Sequence, residues 1–248
     1  MKPSRARAPA RALLASGAVL LALLAGAPGC SEKDPGPAPR PELALGRSPE
    51  YDYDPPEPGT YSLPVLEPAT GGKVLDASGT PHELRDLLEG HVTILSFVYT
   101  RCRDPRACPM ATGTLAGIQA LSEQDPDLAR NLRLLTFSFD PEHDTPRVMA
   151  EYAGHVDAGE RNAAEWLFLT TAGTLELEPI LNAYGQRVDR KRDSADPLGP
   201  LFHNLRVYLI DREARIRNIY SYGLLDPRLL LADVRTLLLE DADRAGIR

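Results

Sequence analysis

Cysteine is scarce in this sequence, with three residues among 248, and only one tryptophan is present. A disulfide-dense scaffold is therefore excluded, because such folds need several cysteine pairs. The chain does not require such bonds either, since its length allows one domain with a full hydrophobic core. The few cysteines stand out as candidates for chemistry: Cys30, Cys102 and Cys108.

An excess of positive charge is also missing. The chain has 28 Lys and Arg residues against 35 Asp and Glu residues, a formal net charge of −7. Binding to nucleic acid or to anionic lipid head groups relies on clustered positive charge, so neither is expected. The sequence also lacks a serine nucleophile motif, a phosphate-binding loop and a paired-histidine zinc motif.

The first thirty residues lack acidic side chains but carry Lys2, Arg5, Arg7 and Arg11 ahead of an apolar run, residues 12–27. This pattern predicts an export signal over residues 1–29, because the run is short for a membrane-spanning helix. Small residues precede Cys30, as in a bacterial lipoprotein cleavage site, so we predict that Cys30 becomes the lipidated first residue. The alternative is a plain signal peptide or an uncleaved anchor with Cys30 incidental. With either alternative we expect the domain to lie outside the cytoplasm, where disulfides can persist.

Residues 30–60 are rich in proline and poor in apolar side chains. Such a segment cannot bury enough surface to offset its ordering entropy, so it predicts a semi-extended tether between the lipid anchor and a globular domain. Tyr51 and Tyr53 are the two side chains in it that could dock. On this interpretation, a chain starting at Gly59 keeps its melting temperature.

Strand and helix patterns alternate through residues 61–248. Buried, β-branched and aromatic runs predict strands, and prolines preceded by polar residues or followed by apolar stripes predict helix starts. This order is typical of one α/β domain with a mixed central sheet. The predicted strands are residues 92–99, 132–139, 166–169, 207–210 and 216–220; the helices begin near Pro109, Pro146, Leu175 and Pro227.

Cys102 and Cys108 lie at the end of the first buried strand and the start of the next helix, with five residues between them. Helix N-termini stabilise thiolates, and Arg101, Arg103 and Arg106 act in the same direction. Thiols of low pKa serve both disulfide exchange and soft-metal binding. A structural disulfide or two idle thiols remain the alternatives.

The chain resembles the Sco/SenC family, thioredoxin-fold copper proteins of respiratory membranes. The resemblance rests on LDASGTPHELRDLLEGHVTILSFVYTRC, FSFDPEHDTPRVMAEY, WLFLTT, NAYG and FHNLRVYLIDREARI, which follow in the family's order. It implies a thioredoxin-like three-layer α/β/α domain over residues 61–248. It also implies a site for copper, as Cu(I) or Cu(II), made by Cys102, Cys108 and His203. Met110 is an auxiliary ligand or, as we expect, a packing residue.

The resemblance implies a membrane-anchored protein on the periplasmic side of a bacterial membrane. Its expected function is delivery of copper to the dinuclear copper centre of a cytochrome c oxidase, with the copper-receiving subunit of that oxidase as partner. One alternative is a thiol-disulfide oxidoreductase in which Cys102 and Cys108 form the redox pair. Another is a lipoprotein without metal that uses the fold for protein contacts. Peroxidase activity is not expected, because Tyr99 stands where the peroxidatic enzymes of this fold have threonine.

Overall fold

A computed structural model describes residues 51–156 and 162–246 of the chain, and both ranges lie within one compact unit. The predicted export signal, Cys30 and residues 31–50 of the predicted tether lie outside the described residues. None of the helices in the described ranges is long and apolar enough to cross a membrane.

The domain is built on an eight-stranded mixed sheet. Its two central pairs, β4 with β5 and β5 with β6, are parallel, and its other neighbouring strands are antiparallel. The order across the sheet is β1-β10-β9-β4-β5-β6-β2-β3. These strands are β1 (Glu67–Pro68), β2 (Lys73–Asp76), β3 (Pro81–Glu83), β4 (Val92–Val98), β5 (Leu132–Ser138), β6 (Glu165–Thr170), β9 (Arg206–Ile210) and β10 (Arg215–Ser221), with β7 (Val188–Arg190) and β8 (Leu201–His203) forming a separate two-stranded sheet.

Helices cover both faces of the large sheet, which gives the expected three layers. One hydrophobic core contains buried side chains of α1 and α5, and the other contains those of α2, α3, α4 and α6. Burying each large apolar side chain contributes about 1.5–3 kcal/mol. The helices are α1 (Leu84–Leu88), α2 (Cys108–Ser122), α3 (Pro126–Asn131), α4 (Pro146–His155), α5 (Thr174–Ala183) and α6 (Pro227–Arg244).

The predicted α/β fold with a mixed sheet is confirmed, and the predicted strands agree with β4, β5, β6, β9 and β10 to within two residues. Every residue of β4 is buried, because successive side chains of a central strand point to opposite faces and both faces are covered. Thus Leu95 and Phe97 belong to one core while Val92 and Ile94 belong to the other.

Seven short elements were not predicted from the sequence: β1, β2, β3, β7, β8, α1 and α3. Each has six residues or fewer, which is too short to give a clear periodic signal. Among them, the small sheet of β7 and β8 pairs Val188 with His203. The packing of residues 51–60, which we expected to belong to a tether, was not predicted either. The side chain of Tyr51 is only 6% exposed, and its hydroxyl donates to the Leu225 carbonyl at 2.8 Å.

The tether prediction is therefore wrong for residues 51–60, and the domain begins before residue 61. Farther along this segment, the Gly59 backbone N–H donates to Thr236 Oγ1 on α6 at 3.1 Å. A Cβ atom at Gly59 would approach a side-chain atom of Leu239 to 2.9 Å, so this glycine permits close packing. The segment stays in place because Tyr51 binds Leu225 just before α6, while the backbone groups of Tyr53 and Gly59 bind side chains on α6. These contacts compensate its ordering entropy.

Truncation of this contact should lower stability, contrary to the expectation from composition. We expect Tyr51→Ala to cost about 3 kcal/mol, a fall in melting temperature of about 6–12 °C for a chain of this size. Tyr51→Phe, which loses only the hydrogen bond, should cost about 1 kcal/mol. Thermal unfolding of the chain from residue 31 onward measures both, with the exposed Asp52→Ala as control. Equal melting temperatures for all four proteins would restore the tether interpretation.

Candidate metal centre

The cysteine loop, residues 99–108, connects the end of β4 to the start of α2. Two consecutive turns fold it: Cys102 N–H donates to the Tyr99 carbonyl at 3.1 Å, and Ala107 N–H donates to the Asp104 carbonyl at 3.1 Å. The Asp104 side chain also accepts from Arg106 N–H at 3.0 Å. Asp104 and Pro105 are residues that favour such turns. The five intervening residues therefore loop outward, and the two cysteines remain close together.

Three potential metal ligands converge at this loop. His203 Nε2 lies 3.8 Å from Cys102 Sγ and 3.4 Å from Cys108 Sγ, and the three ligand atoms all lie within 4.8 Å of one another. Cys102 is 8% exposed and Cys108 is 1% exposed, while His203 is half-buried. The structure therefore brings together the three residues that the resemblance implied.

Both cysteines are free thiols, and their environments separate their pKa values. The neighbouring Cys108 thiol, followed by the His203 imidazole, lowers the pKa of Cys102 to about 4 against the opposing effect of burial. Burial raises the pKa of Cys108 well above its ordinary value. Cys102 is thus the thiolate of the pair, and Cys108 is the protonated partner that stabilises it.

The three arginines are not among the main causes of this low pKa. Arg101 is bound to Asp140, with 2.5 Å between its guanidinium and the carboxylate. The Arg106 guanidinium lies 5.4 Å from the centre of the Tyr222 ring, and Arg103 is exposed. The prediction that the arginines activate the thiols is therefore replaced by activation from Cys108 and His203.

Two aspartates anchor the first half of the loop, and the motif FSFDPEHDTP supplies both. Asp144 is fully buried and accepts hydrogen bonds from Thr100 N–H at 2.9 Å and from the Thr100 hydroxyl at 2.5 Å. Asp140 holds Arg101. Sequence reasoning identified this motif by resemblance only and assigned no role to either aspartate. Their position directly after β5, which is parallel to the cysteine strand, was the available signal.

A second segment covers the loop from the side of β8. Arg103 N–H donates to the Leu198 carbonyl at 3.2 Å. Gly199 adopts φ +106°, and a Cβ atom there would meet the Arg101 carbonyl oxygen at 2.8 Å and the Tyr99 hydroxyl at 2.2 Å. Only glycine allows this backbone to approach so closely. This contact places β8, and with it His203, against the cysteines.

Two thiols and an imidazole are a ligand set for soft or borderline metals, and two thiolates in particular suit Cu(I). Met110 packs against the core that contains α2, in keeping with the packing role expected for it. Among the described residues no other group of His, Cys, Asp or Glu side chains converges in this way.

The fold and this site define a class: a thioredoxin-like α/β protein with a buried dithiol and an imidazole at the strand-to-helix turn. A model of the SCO1/SenC family matches residues 73–239. The chain belongs to the SCO1/SenC family.

Individual relatives are distant. The chain is 25% identical over 135 residues to a curated SCO1 protein homolog of Bacillus subtilis, and the match covers 54% of this chain and 64% of that relative. It is similar in fold to a SCO1/SenC family lipoprotein of Bacillus anthracis, with a TM-score of 0.58, 22% identity, and coverage of 70% of this chain and 96% of that one. It is likewise similar to copper-bound ScoI of Bradyrhizobium japonicum, with a TM-score of 0.55, 21% identity, and coverage of 68% and 98%.

The asymmetry of the two thiols can be measured by alkylation of the reduced, metal-free protein. Because thiolates react and thiols do not, Cys102 should react at pH 6 at nearly its full rate while Cys108 stays protected. In Cys108→Ala the main cause of the low pKa is gone, so the pKa of Cys102 rises and its rate at pH 6 falls. Once the pKa exceeds the assay pH, each further unit lowers the thiolate fraction about tenfold.

Arg103→Ala with Arg106→Ala is the control for this measurement, and it should leave the rate near the wild-type value. A larger effect from the arginine pair than from Cys108→Ala would reinstate the arginines as the source of activation.

Proposed function

We propose that this protein binds one copper ion through Cys102, Cys108 and His203, and delivers it to the dinuclear copper centre of a cytochrome c oxidase during assembly. The observation that carries the proposal is the convergence of two free thiols and an imidazole within 4.8 Å at a single edge of the sheet. Copper is the cargo of this function, so binding has to be tight and also reversible.

The donor set suits copper and does not complete a structural zinc site. Structural zinc sites use four protein ligands in a closed tetrahedron, and only three donors converge among the described residues. Two thiolates satisfy Cu(I), which accepts low coordination numbers, and the imidazole adds a ligand suited to Cu(II). Family members support the same assignment: one is solved with copper bound, and another is described as a cytochrome c oxidase assembly protein.

Delivery requires that a partner reach a recessed metal. Cys108 is almost completely buried, so incoming ligands approach past Cys102 and His203. The segments beside these ligands carry exposed apolar side chains, Leu198, Phe202 and Tyr222. Exposed apolar residues next to a site are typical of protein contact surfaces. The exposed Arg103 and Arg106 beside them favour an acidic partner surface and a faster encounter.

Thiol-disulfide exchange is the second candidate, and the state of the cysteines favours it specifically. A thiolate at Cys102 beside a protonated Cys108 is the arrangement of a dithiol reductant. In such a reaction the Cys102 thiolate attacks a disulfide of the partner and releases one partner sulfur as a thiolate. Cys108 then loses its proton and attacks the Cys102 sulfur of the mixed disulfide, which releases the second partner sulfur. A Cys102–Cys108 disulfide forms, two electrons pass to the partner, and the released thiolates take their protons from Cys108 and solvent. His203 is not needed for that chemistry, and for this reason we place delivery first.

The proposed location follows from the N-terminal sequence. Export through residues 1–29, lipid attachment at Cys30 and a tether over residues 31–50 would hold the domain at the periplasmic side of a bacterial membrane. The mass of the mature N-terminus tests the lipid, since Cys30→Ser should lose it. A family member described as a lipoprotein supports this arrangement.

Copper titration of the reduced protein tests the binding proposal. We expect one copper per chain. Cys102→Ser and Cys108→Ser should each abolish tight binding, because one thiolate and an imidazole make a poor site. His203→Ala should retain Cu(I) and lose most Cu(II) binding, measured by competition with chelators and by the visible spectrum. The control is His155→Ala, which changes an exposed histidine bonded within its own helix. If His203→Ala binds both ions like wild type, His203 is not a ligand.

A transfer experiment separates delivery from reduction. The copper-loaded protein is mixed with the reduced, metal-free copper-receiving domain of an oxidase subunit, and the metal-free dithiol is mixed with the oxidised form of the same domain. Delivery predicts that copper moves in the first mixture; reduction alone predicts only new thiols in the second. We further expect Arg103→Ala with Arg106→Ala to slow transfer most at low ionic strength, because salt screens exposed charges.

The matched control for the charge effect is Arg130→Ala with Arg244→Ala, which removes the same charge from α3 and α6. Equal slowing by both pairs of substitutions would assign the effect to the net charge of the protein rather than to the position of Arg103 and Arg106 beside the metal site.

A further inference from the structure

The imidazole of His203 packs against two aromatic rings that also contact each other. The imidazole meets the ring of Tyr99 edge-on, with centroids 5.3 Å apart and an interplanar angle of 85°. It meets the ring of Phe139 in a tilted arrangement, with centroids 5.2 Å apart and an angle of 44°. Both separations are in the range in which aromatic rings attract one another.

These two rings form a rigid wall because of the way in which the sheet ends. Val98 and Ser138 are partners in the parallel pairing of β4 with β5, so the next residue on each strand, Tyr99 and Phe139, emerges at the same edge. Their centroids lie 5.3 Å apart, and the Phe139 N–H donates to the Val98 carbonyl at 2.9 Å. Both side chains are buried. The imidazole therefore rests on a surface that the central strands build.

Among the described residues, no carboxylate or backbone carbonyl accepts a hydrogen bond from the ring of His203. A metal-binding histidine usually donates its second ring N–H to a carboxylate, a carbonyl or a water. Within the described parts of the chain, the hydrogen bonds of the His203 ring run from Nε2 to the two cysteine sulfurs. The preceding residue, Phe202, is exposed, and its ring lies 5.2 Å from the Lys191 ammonium. Apart from the two sulfurs, the described groups that contact the imidazole ring and can set its orientation are therefore the two aromatic rings.

Tyr99 also supports the segment that leads into β8. Its hydroxyl lies 3.5 Å from the Leu198 carbonyl, and the backbone of Gly199 passes directly over it. The ring of Tyr99 thus contacts both His203 and the segment that precedes β8. Loss of this ring would free the imidazole to turn away from the sulfurs.

We propose that Tyr99 and Phe139 are positioning residues for the metal-binding imidazole of His203, in the place that a hydrogen-bonding partner usually takes. The inference rests on the proposed copper site. Because two thiolates can hold Cu(I) without an oriented imidazole, the wall matters chiefly for Cu(II).

The experiment compares Phe139→Leu and Tyr99→Leu with Phe137→Leu, which removes a buried ring that faces Phe97 instead of the site. Tyr99→Phe is the conservative variant and keeps the ring. The first measurement is made without metal: the NMR shifts of the His203 ring protons report the neighbouring ring currents. The second is the affinity for Cu(II) and for Cu(I), with the electron paramagnetic resonance spectrum of the Cu(II) form.

We expect Phe139→Leu and Tyr99→Leu to move the His203 proton signals and to lower Cu(II) affinity about 10- to 100-fold, the usual effect of losing a group that orients a ligand. Cu(I) affinity should be unchanged, and Tyr99→Phe and Phe137→Leu should behave like wild type. If the site variants match Phe137→Leu in both measurements, the positioning role is refuted. If the wild type binds no copper, the proposed function fails, while the proton shifts still decide whether the two rings contact the imidazole.

Discussion

The parallel pairing of β4 with β5 is the constraint on which the rest of the site depends. Because the two strands end in register at Val98 and Ser138, the segments that follow them emerge side by side. One becomes the cysteine loop and the other becomes the loop that carries Asp140 and Asp144. Buried carboxylates are costly unless they are fully hydrogen-bonded, and here they accept from the backbone and side chains of the cysteine loop. The same register aligns the aromatic wall. The central strands therefore fix the position of the cysteine loop, although that loop itself contains no helix or strand.

The third ligand, His203, comes from a distant part of the chain. His203 follows Cys108 by 95 residues and reaches it on a short strand outside the main sheet. Two devices secure it: the backbone of Gly199, which fits against Tyr99 because it lacks a side chain, and the pairing of β9 with β4 a few residues later. The site is therefore assembled from two segments that are far apart in the sequence, and each of them is fixed by its own contacts with the end of β4.

The electrostatics of the cysteines allow both metal binding and redox chemistry. A thiolate at Cys102 is ready to coordinate or to attack, and burial keeps Cys108 protonated until a cation compensates its charge. Copper would supply such compensation, since a coordinating thiol loses its proton. The proposed delivery of copper and the alternative, reduction of a disulfide, would use the same two sulfur atoms, and His203 favours metal binding because disulfide exchange does not need an imidazole.

The sequence by itself determined the strands and helices with long, regular patterns, together with the chemical types at the site. The buried runs of β4 and β5 and the proline-led starts of α2, α4 and α6 are local signals, because hydrophobic period and capping depend on neighbouring residues. Tertiary structure alone decided the docking of Tyr51 on Leu225, the pairing of β7 with β8, and the source of the low Cys102 pKa. Each of these depends on how loops and separate segments are placed in three dimensions, which leaves no periodic trace in the local sequence. The composition of residues 51–60 indicated a tether, yet a single buried ring and a few distant hydrogen bonds were enough to order them.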